Sequence, residues 1–289
     1  MKAAPFEYVR PSSLAEACAI LASDEDARPI AGGQTLVPMM AMRLARPGKL
    51  VDISRLPELD GIKRDDDALS IGAAVRQAVA ERSSEVARHL PLLSAALPWV
   101  GHQPTRNRGT LGGSVANADP AAEIPLVLVT LGGAVRAAGP GAEREIPARE
   151  FFEGLMATAL EEGEIVSSLS FPIWGEDRVG VGFHEISARK SDFAYVSAAA
   201  QVALDEQGKC TRCVIGLGAV VPSPVYLAAA SEAVASGVGV DDVRGVLEAE
   251  FSSLDIMTDS HATAAYRRRA ALALTSRALD DALSQAGEA

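Results

Sequence analysis

Two glycine pairs, far apart in the sequence, constrain this chain of 289 residues more than any other feature. The first pair, Gly32-Gly33, follows the strand-like run 28–31 and precedes Gln34 and Thr35. Glycines after a strand permit positive φ and a close approach of the backbone, and successive amide N–H groups there can bind an anion. The segment has neither the P-loop nor the GxGxxG pattern, so a phosphate-binding loop and a simple strand-ending turn both fit it.

The second pair, Gly112-Gly113, lies in the stretch 101–123, which is rich in Gly, Asn, Pro and Asp and shows little periodicity. A loop of that length inside a compact chain usually serves a function. Thr110 and Ser114 place hydroxyl groups beside the glycines, and Arg106 and Arg108 add positive charge. Two glycine-rich loops that converge from different strands would hold a pyrophosphate well; the alternative is a solvated loop.

The rest of the chain alternates between strand-like and helical stretches. Strands are predicted at 6–9, 28–31 and 49–53, with a helix that begins at Ser12 or Ser13. A hairpin is predicted at 61–72, two helices over 73–100 with a break near Pro91, and strands at 133–137 and 164–172. Beyond a linker at 174–177, the pattern predicts an antiparallel sheet and then helices over roughly 226–237, 241–251 and 261–284. Because strands segregate from helices within each half, an α+β fold is favoured.

Composition excludes several classes of function. The formal net charge is −11 and only 4% of the residues are aromatic, so neither the basic stripe nor the stacking platforms of a nucleic-acid-binding protein are expected. The apolar stretches are too short to span a bilayer, and the N-terminus lacks the apolar segment of a secretory signal. We therefore expect a cytoplasmic protein with reduced thiols.

The cysteines set a further limit on the chemistry. Three of them, Cys18, Cys210 and Cys213, can neither form a disulfide framework nor supply the four ligands of an iron–sulfur cluster. The CxxC spacing of Cys210 and Cys213 leaves a redox role open, and we interpret it as a hairpin with incidental thiols. The four histidines are scattered without metal-ligand spacing, so no metal site is predicted.

Together, the two glycine motifs resemble those of one family. The segments AGGQTLVPMMAMR, from Ala31, and RNRGTLGGSVANADPAAEIP, from Arg106, are similar to the FAD-binding (medium) subunit of molybdenum-containing hydroxylases. This family includes carbon monoxide dehydrogenase medium chains and the FAD-binding segments of xanthine dehydrogenase. The resemblance implies a PCMH-type (vanillyl-alcohol-oxidase-like) FAD-binding domain of two subdomains, followed by a C-terminal domain of antiparallel sheet and helices. We expect these parts at 1–56, 57–175 and 176–289.

The resemblance also implies a set of cofactor-binding residues. Positions that match the family's pyrophosphate-binding segments are Ala31, Gly32, Gly33, Gln34 and Thr35 in the first motif and Thr110, Leu111, Gly112, Gly113 and Ser114 in the second. The neighbours Ile30, Leu36, Val37 and Val100 are expected to contact FAD, Glu123 the adenosine ribose, and Val166 the adenine or flavin edge. The family usually has Asn or Asp at position 114, and the serine here changes the available hydrogen bonds.

Two residues of the second half complete the set. His184 stands where the family often has a lysine, and a cation there would stabilise negative charge on the flavin; an ordinary strand histidine fits equally well. Phe193, or nearby Tyr195, matches an aromatic or apolar position that covers the flavin ring in relatives, although simple core packing also accounts for an aromatic residue beside Ala and Val.

The function implied by the resemblance is electron transfer within a larger complex. The chain would be the FAD-carrying subunit of a heterotrimeric molybdenum hydroxylase, passing electrons from a [2Fe–2S] partner subunit through FAD to an external acceptor. A large subunit would carry the molybdenum cofactor, and the heterotrimer is often doubled in relatives. The alternatives are a stand-alone flavin oxidoreductase of the same superfamily and a flavin-free interaction domain. The substrate of the complex and its final acceptor stay open.

Overall fold

The N-terminal part of the chain forms a parallel sheet in the computed structural model, which describes residues 2–289. Strands β1 (Glu7–Val9), β2 (Ala27–Ile30) and β3 (Lys49–Asp52) lie in the order β1-β3-β2. Helix α1 (Leu14–Ser23) connects β1 to β2, and helix α2 (Leu36–Ala41) connects β2 to β3. Helix α1 begins at the N-cap Ser13, whose hydroxyl accepts a hydrogen bond from the Glu16 amide. Its buried face consists of Leu14, Ala17, Cys18 and Leu21.

A five-stranded antiparallel sheet follows, in the order β4-β5-β10-β6-β7. These strands are β4 (Ile62–Asp65), β5 (Ala68–Gly72), β6 (Ala134–Ala138), β7 (Glu143–Pro147) and β10 (Ile165–Pro172). Six helices lie between β5 and β6: α3 (Gln77–Glu81), α4 (Ser84–His89), α5 (Pro91–Ala96), α6 (Gln103–Arg106), α7 (Leu111–Asn117) and α8 (Glu123–Leu131). Helix α9 (Ala148–Phe151) and the hairpin of β8 (Phe152–Gly154) and β9 (Ala157–Thr158) precede β10. Short 3-10 turns occur at Pro57–Leu59 and Leu97–Trp99.

The C-terminal part is a second antiparallel sheet with three helices. Strands β11 (Arg178–Ile186), β12 (Val196–Leu204), β13 (Cys210–Gly218) and β14 (Val225–Tyr226) are paired in chain order. Helices α10 (Ala228–Ala235), α11 (Val240–Ser252) and α12 (Ala264–Glu288) follow. All nine residues of β12 are buried, because α12 covers one face of the sheet while α5 and α8 cover the other. This sandwich brings the C-terminal sheet against the segment that carries the second glycine motif. No helix within residues 2–289 is both long and apolar enough to cross a membrane.

The stretch 101–123 is not the continuous loop that its composition predicts. It contains α6 and α7, and Glu123 already belongs to α8. Helix α7 escapes sequence reasoning because glycine is a poor helix former. The helix instead depends on its N-cap Thr110, whose Oγ1 accepts a hydrogen bond from the Gly113 amide at 3.0 Å. Likewise, 73–100 holds three short α-helices and a 3-10 turn instead of two helices, with Pro91 starting α5.

The long helix α12 lies directly on the backbone of β11. A Cβ atom at Gly182 would be 2.1 Å from the carbonyl oxygen of Ala278, and one at Gly180 would be 2.0 Å from that of Ala282. Only glycine permits so close an approach, and small residues on α12 match it. This contact fixes the position of α12 and of the residues at its N-terminal end.

We predict that Gly182→Ala destabilises the fold strongly, because the added methyl group must displace α12 from the sheet and open the core between them. The matched control is Gly245→Ala on the exposed face of α11, where a Cβ meets no atom within 4 Å. The control should gain stability, by up to about 1 kcal/mol, from helix propensity. Thermal unfolding followed by circular dichroism checks both; equal melting temperatures for the two variants would contradict the assignment of this contact.

Candidate functional site: a dinucleotide-sized cavity

The first glycine motif ends β2 in a turn whose amides are free. Gly33 has φ +67°, a backbone conformation that favours glycine. Within the described part of the chain, the N–H groups of Gly32, Gly33, Gln34 and Thr35 donate to no backbone or side-chain acceptor. The amide of Val37, the second residue of α2, donates to the Gly33 carbonyl. Four unpaired donors in succession form a concave site suited to an anion.

The second motif differs, because its glycines lie inside helix α7. The amides of Leu111 and Gly112 donate to the carbonyls of Val75 and Ala73, so the first turn of α7 has few free donors. A Cβ at Gly112 would lie 2.3 Å from that of Ala73, which explains this glycine by close packing without any need for positive φ. The motif therefore contributes a smooth backbone surface and the side chain of Ser114.

The two motifs touch each other. A Cβ at Gly32 would lie 2.3 Å from the carbonyl oxygen of Arg108, so the two backbones are in direct contact at this glycine. The arginines beside the second motif do not serve as phosphate ligands. Arg106 is buried, pairs with both carboxylate oxygens of Glu81 at 2.9 and 3.0 Å, and donates to the carbonyl of Gly101. Arg108 does not line the cavity described next.

A cavity of ≈ 1310 Å³ lies where the motifs meet, and it is lined by all three parts of the chain. Fifteen of the predicted cofactor-binding residues line it: Ile30, Ala31, Gly32, Gly33, Gln34, Thr35, Leu36, Val100, Thr110, Gly112, Gly113, Ser114, Glu123, Val166 and Phe193. Three do not: Val37 is half exposed on the outside of α2, Leu111 is buried in the core, and His184 lies elsewhere.

His184 lies on the far side of the C-terminal sheet. Its Nε2 is 2.8 Å from an oxygen of Asp281 on α12, the helix that covers the face away from the cavity. The alternation of side chains along β11 explains this, since the neighbours Phe183 and Glu185 point to the opposite face. A cation at position 184 would therefore not face the cavity.

Two acidic side chains meet behind the cavity. Glu123 lines it and is 9% exposed, and burial raises its pKa to about 7, with a further contribution from Asp119 and an opposing one from Arg106. Burial likewise raises the pKa of Glu185 to about 8, and the charge of Glu123 adds to the effect. Neither carboxylate oxygen of Glu185 has a hydrogen-bond partner among the described residues. Glu185 is paired across the sheet with Ser197, and it is close enough to Glu123, at the start of α8, for the two charges to interact.

Several residues of the cavity wall lie outside the sequence motifs. From the C-terminal part, Phe193 and Tyr195 line the cavity, and Tyr195 stacks on His261 with ring centroids 5.8 Å apart. The wall also contains Met257, Asp259, His261 and Arg267, which come from a segment without a motif and from the start of α12. Their positions depend on how α12 packs, which no local pattern in the sequence encodes.

The groups that line the cavity indicate the class of cofactor that fits it. The cavity is lined by the row of free amides, by hydroxyl groups, by apolar side chains and by carboxylates that include the buried Glu123. Amides suit a diphosphate, and a carboxylate suits the vicinal hydroxyls of a ribose. The donor set thus fits a dinucleotide-type cofactor such as FAD. Within residues 2–289 no three His, Cys, Asp or Glu side chains converge as metal ligands, and the three cysteines are free and buried.

Comparison with known protein families and structures identifies the family. Residues 4–174 match the FAD binding domain in molybdopterin dehydrogenase, and residues 182–282 match the CO dehydrogenase flavoprotein C-terminal domain. The chain is 38% identical to the 6-hydroxypseudooxynicotine dehydrogenase complex subunit alpha of Paenarthrobacter nicotinovorans, over 99% of this chain and 97% of that one. It is 32% identical to the carbon monoxide dehydrogenase medium chain of Afipia carboxidovorans, over 97% and 98%. Two solved structures superpose closely: carbon monoxide dehydrogenase from Hydrogenophaga pseudoflava (TM-score 0.94, 31% identity, 99% of both chains) and quinoline 2-oxidoreductase from Pseudomonas putida 86 (TM-score 0.92, 36%, 99% of both).

The chain therefore belongs to the family of FAD-binding medium subunits of molybdenum-containing dehydrogenases. It is an oxidoreductase subunit with FAD as its cofactor, and the α+β class with an FAD-binding part and a C-terminal flavoprotein part is confirmed.

We predict that Glu185→Gln stabilises the protein at pH 8 and has little effect at pH 5. The native pKa of Glu185 is about 8 against an ordinary 4.5, so the folded chain holds a proton that the unfolded chain releases. The free energy of unfolding therefore falls as pH rises between these two values, and a glutamine, which does not ionise, removes that loss. Melting temperatures at pH 5, 6.5 and 8 check the prediction, with exposed Glu232→Gln as the control. Equal melting temperatures for Glu185→Gln and wild type at pH 8 would contradict it.

Proposed function

We propose that the chain holds FAD in the cavity between its glycine motifs and serves as the electron-transfer subunit of a heterotrimeric molybdenum hydroxylase. The observation that carries the proposal is the row of free amides from Gly32 to Thr35, which opens into a cavity large enough for a dinucleotide. When bound, FAD would accept electrons from a [2Fe–2S] subunit and pass them to an external acceptor.

Different residues would bind different parts of the cofactor. The amides of Gly32–Thr35 would bind the diphosphate, with Ser114 as a hydroxyl partner from α7. Glu123 would accept hydrogen bonds from the adenosine ribose, and its ionised form offers both oxygens as acceptors. Val100 and Val166 would pack against the cofactor, and Phe193 would cover the flavin end. Burial of these groups by the C-terminal part would exclude water from the site. The protein's own contribution is thus to bind and orient FAD, without acid–base chemistry on a substrate.

Partner subunits follow from what the chain lacks. Three cysteines cannot ligate an iron–sulfur cluster, so a cluster that delivers electrons here would have to come from another polypeptide. The names of the relatives support this arrangement, since they include a subunit alpha and medium chains or subunits of dehydrogenase complexes. We propose a large molybdopterin subunit and a small iron–sulfur subunit as partners, assembled as a dimer of heterotrimers in the cytoplasm. We also propose the domain limits 1–56, 57–175 and 176–289.

Gly33→Asp should abolish FAD retention, because it adds a negative charge to the turn whose free amides would bind the diphosphate. The matched control is Gly33→Asn, which has nearly the same shape, tolerates the positive φ, and introduces no charge. We expect the aspartate variant to bind FAD at least tenfold more weakly than the asparagine variant, as measured by flavin fluorescence titration of the apoprotein. Similar affinities for the two variants would rule out this position for the diphosphate.

Co-expression tests the subunit assignment. When the chain is expressed with an affinity tag beside the neighbouring open reading frames of its operon, a large molybdopterin chain and a small iron–sulfur chain should co-purify with it. The purified chain alone should carry flavin and reduce no acceptor with an organic substrate. If the chain alone turns over a substrate, it is a stand-alone flavin oxidoreductase; if it takes up no FAD at all, the proposed function fails.

A further inference from the structure

The C-terminal wall of the cavity is assembled from three separate chain segments. The first is the connection from β11 to β12, which includes Phe193 and Tyr195. The second is Ala219 at the end of β13, and the third is the irregular segment from Met257 to His261 before α12. These segments are distant in sequence and belong to no common strand or helix, so some interaction has to hold them together at the cavity.

One buried side chain bonds to all three. Arg267, 2% exposed in the first turn of α12, donates from Nη1 to the carbonyl oxygens of Tyr195 and Ala219, the latter at 2.6 Å. Its Nη2 donates to Oδ2 of Asp259 at 2.5 Å. Each wall segment thus contributes one acceptor to a single guanidinium group, whose planar fork suits several acceptors at once.

The acceptors are themselves tied to the cavity. Asp259 Oδ1 accepts from the amides of His261 and Ala262, which shapes the segment that stacks His261 on Tyr195. The amide of Ala219 donates to the carbonyl of Pro120 at 2.7 Å, in the loop that leads from the second glycine motif to α8. The guanidinium group is therefore the central point of a hydrogen-bond network that reaches both sides of the cavity.

The position of Arg267 indicates that these hydrogen bonds are its structural role. A positive charge in the first turn of a helix opposes the helix dipole, and burying it costs desolvation energy. The adjacent Arg268 and Arg269 form no ion pair within residues 2–289 and are more exposed, as arginines ordinarily are. The hydrogen bonds of Nη1 and Nη2 to the three segments offset these costs, while Nε has no partner among the described residues.

We propose that Arg267 is the positioning residue of the cavity's C-terminal wall: it holds the Phe193–Tyr195 segment and the Met257–His261 segment together in the arrangement that encloses the flavin end of FAD. This inference rests on the proposed binding of FAD in this cavity. The first glycine motif shares no hydrogen bond with Arg267 or with its three acceptors, so its geometry does not depend on Arg267.

The test compares Arg267→Met and Arg267→Lys with Arg269→Met, a matched change of an exposed neighbour. Amide hydrogen exchange by mass spectrometry on the full-length, FAD-free chain measures the wall directly. In Arg267→Met, exchange should accelerate at least tenfold in both segments, 187–195 and 257–262, while that of the first glycine motif stays unchanged. Lysine can still pair with Asp259 but cannot span both carbonyls, so Arg267→Lys should restore protection at 257–262 more than at 187–195.

Flavin binding provides the second readout. With added FAD as the probe, Arg267→Met should bind at least tenfold more weakly and leave the bound flavin more accessible to iodide quenching, whereas Arg269→Met matches wild type. For Arg267→Met, unchanged exchange in the two segments, or acceleration in only one of them, would overturn the proposal. If Arg267→Met does not fold, Arg267→Lys decides: exchange at 187–195 should accelerate, and unchanged exchange there would overturn the proposal. Should the wild-type chain bind no FAD, the proposed function fails, while the exchange experiment still decides whether Arg267 positions the wall.

Discussion

The contact between two backbones at Gly32 is the constraint on which the site depends. Only a residue without a side chain lets the turn after β2 rest against the Arg108 carbonyl, since a Cβ would lie 2.3 Å from that oxygen. The contact joins the parallel sheet to the helical segment after β5, and it turns the amides of Gly32 to Thr35 away from protein acceptors. The cavity is the space that this junction leaves, and the C-terminal part closes it.

The C-terminal part buries two ionisable side chains near this junction, an arginine with hydrogen-bond partners and a glutamate without them. Arg267 has an acceptor from each of three segments, so its charge is compensated and the segments are held in place. Glu185 has no hydrogen-bond partner in the described structure, and its raised pKa shows that it keeps a proton instead. The first arrangement stabilises the wall at any ordinary pH. The second is favourable only while the glutamate is neutral, so it makes the junction sensitive to pH.

The sequence predicts those elements of the fold whose signals are local. The strands around the first glycine pair, the N-cap Ser13 and the antiparallel C-terminal sheet follow from turn residues, capping and apolar pattern. Sequence reasoning missed α7, because the helix is held by the cap at Thr110 and by packing against Ala73, and its two glycines point away from a helix. It missed Arg267 for a different reason. The run at 267–269 reads as three equivalent arginines, and only the packing of α12 on Gly182 decides which one is buried.

The same distinction explains why glycines, and not charges, mark this site in the sequence. Three arginines near the cavity bond to acceptors of the protein itself. Arg106 pairs with Glu81, Arg267 pairs with Asp259, and Arg28 donates to the carbonyls of Glu25 and Ala27. A diphosphate bound here would depend on amide dipoles, which a chain with a net charge of −11 can present only through backbone geometry. Backbone geometry in turn is set by which positions lack a side chain. The candidate site is therefore defined mainly by glycines, which have no side chain that could bind a ligand. The charged residues around them hold the backbone in place.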